Sequence, residues 1–333
     1  MDSILVLAHT EADGTLGKPA LEALSAAVAL GGELTLGLVG CTVAQASLPA
    51  LPSVRVLAVT GEPFANPRYA TDAAAAEALC RASGASLILA PGTSRWARVL
   101  PGVAYRLGGR ADTHATGLAL HDGAPAITRW FYRQRIEAVL TRAERPWIVL
   151  PDAGCFAPWT GATGAAHIES VPVDPPSTRT TWERIEAPAA DRQTIRPDAK
   201  LLFVAGAGWT KKQADGAVHA ADAAALIHNF LERSQASLGG SKSLVDLSGE
   251  GEAVLPFMTH MNQIGQTGAT PRHPKGLSTC CHGEEPHVVG WRFIAQRRAV
   301  NLDPNCGWAR GKADVLYIAD AFAVLRELNR LLA

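Results

Sequence analysis

The chain lacks any excess of charge: its 333 residues carry 31 Lys+Arg and 31 Asp+Glu, with no block of one sign. That balance provides no net field for a nucleic-acid backbone or an anionic membrane. Aromatics reach only 6%, too sparse for a platform on which bases stack. No apolar run approaches the roughly 20 residues that span a bilayer. The opening stretch from Met1 to His9 reads as a β-strand and has no basic start of a signal peptide. Cysteines at 41, 80, 155, 280, 281 and 306 include no C-x-x-C pair, a scatter that suits reduced thiols better than a disulfide framework. P-loop, H-E-x-x-H and EF-hand patterns are absent, and Gly276-Leu277-Ser278-Thr279-Cys280 lacks the closing glycine of a nucleophile elbow. The expectation is a cytoplasmic α/β protein with no nucleic-acid partner and no membrane insertion.

What is present is apolar material, 47% of the residues, in a chain long enough for two cores. Strands are predicted at Ile4–Ala8, Leu34–Val39, Val54–Val59 and Leu87–Ala90. Helices are predicted at Pro19–Leu30, Thr71–Ser83 (with Ala74, Ala78 and Cys80 crowding one face) and Trp96–Leu107. This alternation implies a parallel sheet covered on both faces. Ala126–Tyr132, Ile136–Thr141 and Trp147–Leu150 read as antiparallel additions to it. Asp152–Arg196, with Pro172, Pro175, Pro176 and Pro188, reads as an extended linker. A second α/β rhythm follows: a strand at Leu201–Ala205, a helix at Ala214–Arg233, a strand at Ser243–Asp246 and a last helix at Ile318–Leu332. The fold class is therefore α/β, two Rossmann-like parallel-sheet domains over residues 1–190 and 197–333, joined by an extended linker.

Three segments of the second domain concentrate polar chemistry. Gly206-Ala207-Gly208 sits where a strand hands over to a helix, the usual place for a nucleotide-binding turn. Lys211 stands where a third fingerprint glycine belongs, so a ligand-free loop is an equal reading. Gln263-Ile264-Gly265-Gln266-Thr267-Gly268 packs carboxamides and a hydroxyl between glycines, suited to the edge of a polar ring or to a surface turn. Cys280-Cys281-His282-Gly283-Glu284-Glu285-Pro286-His287 raises a metal or iron–sulfur site with Cys306, although adjacent cysteines cannot readily face one ion. In the first domain His9 and Cys41 close predicted strands, where a structural histidine and a buried thiol are the plainer readings. Trp209 and Trp291 either flank a ring system or simply pack.

Taken in order, the C-terminal segments resemble the alpha subunit of electron-transfer flavoproteins. The resemblance runs through Val204–Gly208, Ser241-Lys242-Ser243-Leu244-Val245-Asp246, residues 263–268, Cys280 to Gly290, Asn301-Leu302-Asp303-Pro304 and Ala313-Asp314, and it extends to the N-terminal domain. It implies FAD as cofactor, an electron-transfer flavoprotein beta subunit as heterodimer partner, contacted by the first domain, and a flavin dehydrogenase as electron donor. Such a chain is an electron carrier with no substrate chemistry of its own. Gln263, Gln266 and Thr267 would hydrogen-bond the ring and ribityl region, with Gly265 and Gly268 letting the backbone approach. His287 would face the pyrimidine edge and stabilise negative charge there. Ser241 and Lys242 would approach from the other lobe, Gly206, His282 and Gly283 would lie near the pyrophosphate, and Asn301 and Asp314 would hold the adenosine. Lys242 stands for the family's Arg, keeping its charge but losing the planar fork. His282 stands for a serine, and Glu284 and Glu285 bring acid near a pyrophosphate. The substitutions at His282, Glu284-Glu285-Pro286 and Trp209, where the family's turn carries an Arg, motivate the alternative of a structural subunit with a decayed flavin site.

Overall fold

The computed structural model describes residues 2–333 except 52, 132–135, 187–194, 197, 247–253, 265–271, 280–290 and 292, and the side chains of 307, 308 and 311. The described residues fall into two compact units, Met1–Ile185 and Glu186–Ala333. No helix among them is long and apolar enough to cross a membrane.

Unit 1 begins with β1 (Ile4–His9), α1 (Lys18–Leu30), β2 (Leu34–Gly40), β3 (Leu48–Pro49), β4 (Arg55–Thr60), α2 (Glu62–Ala65) and α3 (Tyr69–Ser83). It continues through β5 (Leu87–Leu89), α4 (Ser94–Arg106), β6 (Arg110–His121), β7 (Ala124–Phe131), β8 (Ile136–Leu140), β9 (Trp147–Pro151), β10 (Thr163–Gly164) and β11 (Ile168–Ser170). Nine of these strands form one sheet in the order β11-β4-β2-β1-β5-β9-β6-β7-β8. All pairs are parallel except β6–β7 and β7–β8. Leu5, Leu7 and Ile88 pack toward α3 and α4, while Val6, Ala8 and Leu89 pack toward α1. Alternation along each strand thus builds two cores on one sheet.

Three expectations are corrected here. Trp147–Leu150 is not an antiparallel extension: β9 runs parallel between β5 and β6, and it is buried throughout, as a central parallel strand requires. The segment 152–196 is not all linker, because β11 pairs with β4 and Val171 and Val173 pack on the first core. Arg55 also grips Glu169 through two hydrogen bonds, at 2.9 and 2.8 Å. On α3 the buried face is Asp72, Ala75, Ala76, Leu79 and Cys80, whereas Ala74 and Ala78 are only half-buried.

Unit 2 comprises β12 (Leu201–Ala205), α5 (Ala220–Ser234), β13 (Ser237–Gly240), α6 (Lys242–Asp246), β14 (Lys275–Thr279), β15 (Gln296–Asn301), α7 (Gly307–Lys312), β16 (Val315–Ile318) and α8 (Ala321–Leu331). Its sheet is wholly parallel, in the order β13-β12-β14-β15-β16. Helices α5 and α8 share one face with Phe203, Ala205 and Val300. Trp291, Ile294 and Ala309 cover the other face over Leu202, Val204 and Ala299.

Three predicted elements shift. The helix expected from Ala214 starts at Ala220, because Gly216 at φ 79° and the Lys212–Val218 bridge make a turn first. Residues 243–246 belong to a helix, since the Ser241 hydroxyl oxygen accepts from the Leu244 N–H at 3.3 Å and caps it. The last helix begins after a strand, with Asp320 as its cap.

Candidate functional site

In sequence order the strands of unit 2 lie 2-1-3-4-5, so the chain reverses direction across the sheet between β12 and β14. An open parallel sheet binds ligands outside the carboxyl ends of its strands at such a reversal. The crevice floor is built from both strands. Gly206 N–H donates to the Thr279 carbonyl at 2.9 Å. Trp209 Nε1 donates to Thr279 Oγ1 at 2.9 Å, and that hydroxyl donates to the Val204 carbonyl at 3.1 Å. Residues Ala207–Thr210 form a 3-10 turn, and Gly206 before it is extended, at φ −98°. The turn is thus a buried strand cap. Trp209 packs on Phe322 with centroids 4.7 Å apart, and Trp291 Nε1 donates to the Lys312 carbonyl at 3.0 Å. Both tryptophans are fully buried packing residues.

Beside this floor, β13 ends at Gly240 and delivers Ser241, whose N–H donates to the Ala205 carbonyl at 3.0 Å. Gln263 is brought alongside by a parallel bridge to Gly240, and Ile264 N–H donates to the Gly240 carbonyl at 3.2 Å. Ser241 and Gln263 are both buried. Lys242 reaches Asp246 at 3.4 Å, and Asp246 also takes His260 at 3.0 Å, so one carboxylate serves both groups. Asn301 closes β15, where its Oδ1 accepts from the Asp303 N–H at 3.0 Å and its carbonyl accepts from Ala319 N–H at 3.2 Å.

Asp314 is not brought to this edge. It opens β16 at the amino end, accepting from Arg297 N–H at 2.7 Å and from its guanidinium at 2.8 Å. These hydrogen bonds, the backbone one foremost, hold its carboxyl below the usual range. With Arg297 four residues before Asn301, Asp314 lies about 13 Å down the strand from the crevice. The carboxylate at the correct edge is Asp320, directly after Ala319, where it accepts from the N–H groups of Phe322 and Ala323. Sequence reading passed over it because the second Ala-Asp pair looked like helix interior. Gly265, Gln266, Thr267, Gly268, His282, Gly283 and His287 lie outside the described residues, as do Cys280 and Cys281. Cys306 is buried beside Trp291 and Ile294, and no cluster of metal-ligating side chains exists among the described residues.

The reversal point of unit 1 lies between β1 and β5, where a cavity of about 230 Å³ is lined by His9, Thr10, Arg95 and Trp96. His9 stacks on Trp96 at 3.8 Å and lies 3.4 Å from Asp72. Arg95 donates to Asp72 at 2.9 and 2.7 Å. Burial raises the Asp72 pKa, but hydrogen bonds from His9 and Arg95 outweigh it and hold the carboxyl low. Burial drives His9 down from 6.5 to about 4, so it stays neutral in the fold while the unfolded chain takes a proton. Stability is therefore complete above pH 6.5 and falls as pH drops toward 4. The loss approaches about 3 kcal/mol from this group alone. Urea titrations between pH 7 and 4 should show that slope, and His9→Phe should flatten it; an unchanged slope would remove His9 as its source. Cys41, expected to be buried, is exposed at the same edge.

Two α/β units, each with a strand-order reversal opening at the carboxyl edge, place the protein among the doubly wound folds that bind cofactors there. A model described as the electron transfer flavoprotein domain matches residues 4–176, more than half of the chain, and the chain belongs to the electron transfer flavoprotein family. Comparison with curated proteins gives no match.

Proposed function

We propose that the chain is the alpha subunit of an electron-transfer flavoprotein. In this reading unit 2 holds FAD along the carboxyl edge of its sheet. Unit 1 contacts a beta subunit. The heterodimer takes electrons from a flavin dehydrogenase and passes them to a further acceptor. The observation that carries this is the placement of Gly206, Ser241, Gln263 and Asn301 along the carboxyl edge of one parallel sheet. The donor set suits a flavin: a buried hydroxyl and two carboxamides match ring-edge and ribityl oxygens, and Lys242 adds a nearby cation. When bound, the flavin would supply the one- and two-electron chemistry that no side chain here can. The chain's own residues bind and orient it, and the Trp209–Thr279 floor excludes water beneath it. Gly265, Gln266, Thr267, Gly268, His282, Gly283 and His287 enter this proposal through their motifs.

Position along the strands separates two of the assignments. Asn301→Ala should weaken FAD binding about tenfold, the value of one lost hydrogen bond to a ligand. Asp314→Asn should leave binding within about twofold, since its carboxyl serves Arg297 at the far edge. Fluorescence titration of the apo-heterodimer with FAD measures both. The reverse ranking would contradict the placement of the site.

A further inference from the structure

Helices α5 and α8 pack together through Asn329, whose Nδ2 donates to the Leu226 carbonyl at 3.0 Å and whose own carbonyl accepts from Arg233 at 3.0 Å. Beneath them, over strands β14 to β16, lies a cavity of about 600 Å³, a size that holds a small organic molecule. Its floor follows from strand alternation. Ala299 faces the opposite core, so Gln296, Arg298 and Val300 of β15 share the near face, with Lys275 and Leu277 beside them on β14. Phe230 of α5 and Val324 and Leu328 of α8 form the walls. Tyr317 and Leu331, 44% and 64% exposed, belong to the same lining. Their exposure is the open side of the cavity itself, and a molecule filling it would cover them.

The cavity is charged at one end only. Lys275 lies opposite Gln296 at the amino edge of the sheet, and Arg298 lies opposite Leu277 one row further in. Val300 follows, opposite Tyr317, and Ala319 and Val324 complete an apolar inner end. From Gln296 to Val300 the floor runs about 13 Å, room for a medium-length alkyl chain laid along the strand. Neither Lys275 nor Arg298 has a carboxylate partner among the described residues. The nearby acids are spent elsewhere, Asp314 on Arg297 and Glu327 on Arg330. A helix laid in a groove would need its counter-charges along the whole rim. Two uncompensated cations at one end of an apolar cavity instead match a molecule with an anionic head and an apolar tail.

We propose that this cavity binds a medium-chain fatty carboxylate, with its head between Lys275 and Arg298 and its tail over Leu277 and Val300. The site lies at the amino edge of the sheet, away from the carboxyl edge proposed for FAD, so neither reading depends on the other. Isothermal titration calorimetry tests it, using the full chain in the assembly in which it is purified and dodecanoate below its micellar concentration. One dodecanoate per chain should bind saturably. Dodecyltrimethylammonium, with the same tail and the opposite charge, should bind at least tenfold more weakly. Arg298→Glu and Lys275→Glu, exposed changes whose folding is checked by circular dichroism, should each weaken dodecanoate at least tenfold. Any flavin absorbance of the same samples should stay unchanged. Equal binding of the two amphiphiles, or wild-type affinity for dodecanoate in both variants, would overturn the site. So would the absence of saturable binding; slowed hydrogen exchange at residues 315–318 and 324–332 would then show that another chain closes the face.

Discussion

Replacing Asp72 with Ala should lower the unfolding free energy of unit 1 by about 3–5 kcal/mol, the cost of stripping one partner from a buried ion pair. Asp72 is completely buried on α3, and it receives both guanidinium hydrogen bonds of Arg95 and the edge of His9. Arg95 in turn donates to the carbonyls of Phe64, Ala65 and Asn66, so it cannot swing out to water without unravelling α2. The cluster ties α3, α4 and the end of β1 together at the reversal point of the first sheet. Removing Asp72 leaves a cation buried with only neutral acceptors. The double variant Asp72→Ala/Arg95→Met should recover a substantial part of the loss, because it removes the orphaned charge. Urea denaturation followed by far-ultraviolet circular dichroism measures both. A single-variant loss under about 1 kcal/mol would mean that the pair behaves like a surface contact, and the account of this cluster would fail.

The second large effect falls on the other unit. Trp209→Ala should cost about 3–5 kcal/mol, the range for emptying a buried aromatic site. It should also take the flavin with it. The indole fills the space between β12, β14 and Phe322, and its N–H fixes the Thr279 hydroxyl that closes the crevice floor. Trp209→Phe separates the two roles: it keeps most of the packing but gives up one neutral hydrogen bond, about 1 kcal/mol. A Trp209→Ala protein that unfolds at the wild-type denaturant concentration and retains its flavin would show that the floor is not needed.

Sequence reading succeeded where one pattern decided the structure. Leu201-Leu202-Phe203-Val204-Ala205 and Ile4-Leu5-Val6-Leu7-Ala8 are apolar on both faces, and both are central parallel strands. It failed where tertiary context outweighed local preference. Ser237-Leu238-Gly239-Gly240 has little β-propensity, yet it is a fully buried strand because β12 supplies its ladder. Val245 and Leu244 look like strand residues but sit in α6, since a serine cap precedes them. Much of β6 is polar and half-exposed, so no apolar run announces its twelve residues; His114, in the left-handed region at φ 58°, marks the bulge where the strand leaves β9 for β7. In the second unit Ser241 and Asn301 lie at the carboxyl edge because each follows or closes a strand, and Gln263 joins them through its bridge to Gly240. Asp314 lies one strand length away, at the amino edge. A two-residue Ala-Asp match carries no information about which end of a strand it occupies, and only the register of β16 against β15 distinguishes it from Asp320.

The most direct test is a visible absorption spectrum of the chain co-purified with the proposed beta subunit. The account predicts a flavin envelope corresponding to one FAD per alpha chain, bleached on stepwise reduction and lost in parallel with Trp209→Ala. A colourless heterodimer that is intact by sedimentation, and that takes up no FAD when the cofactor is added, would contradict it and leave this chain a structural subunit.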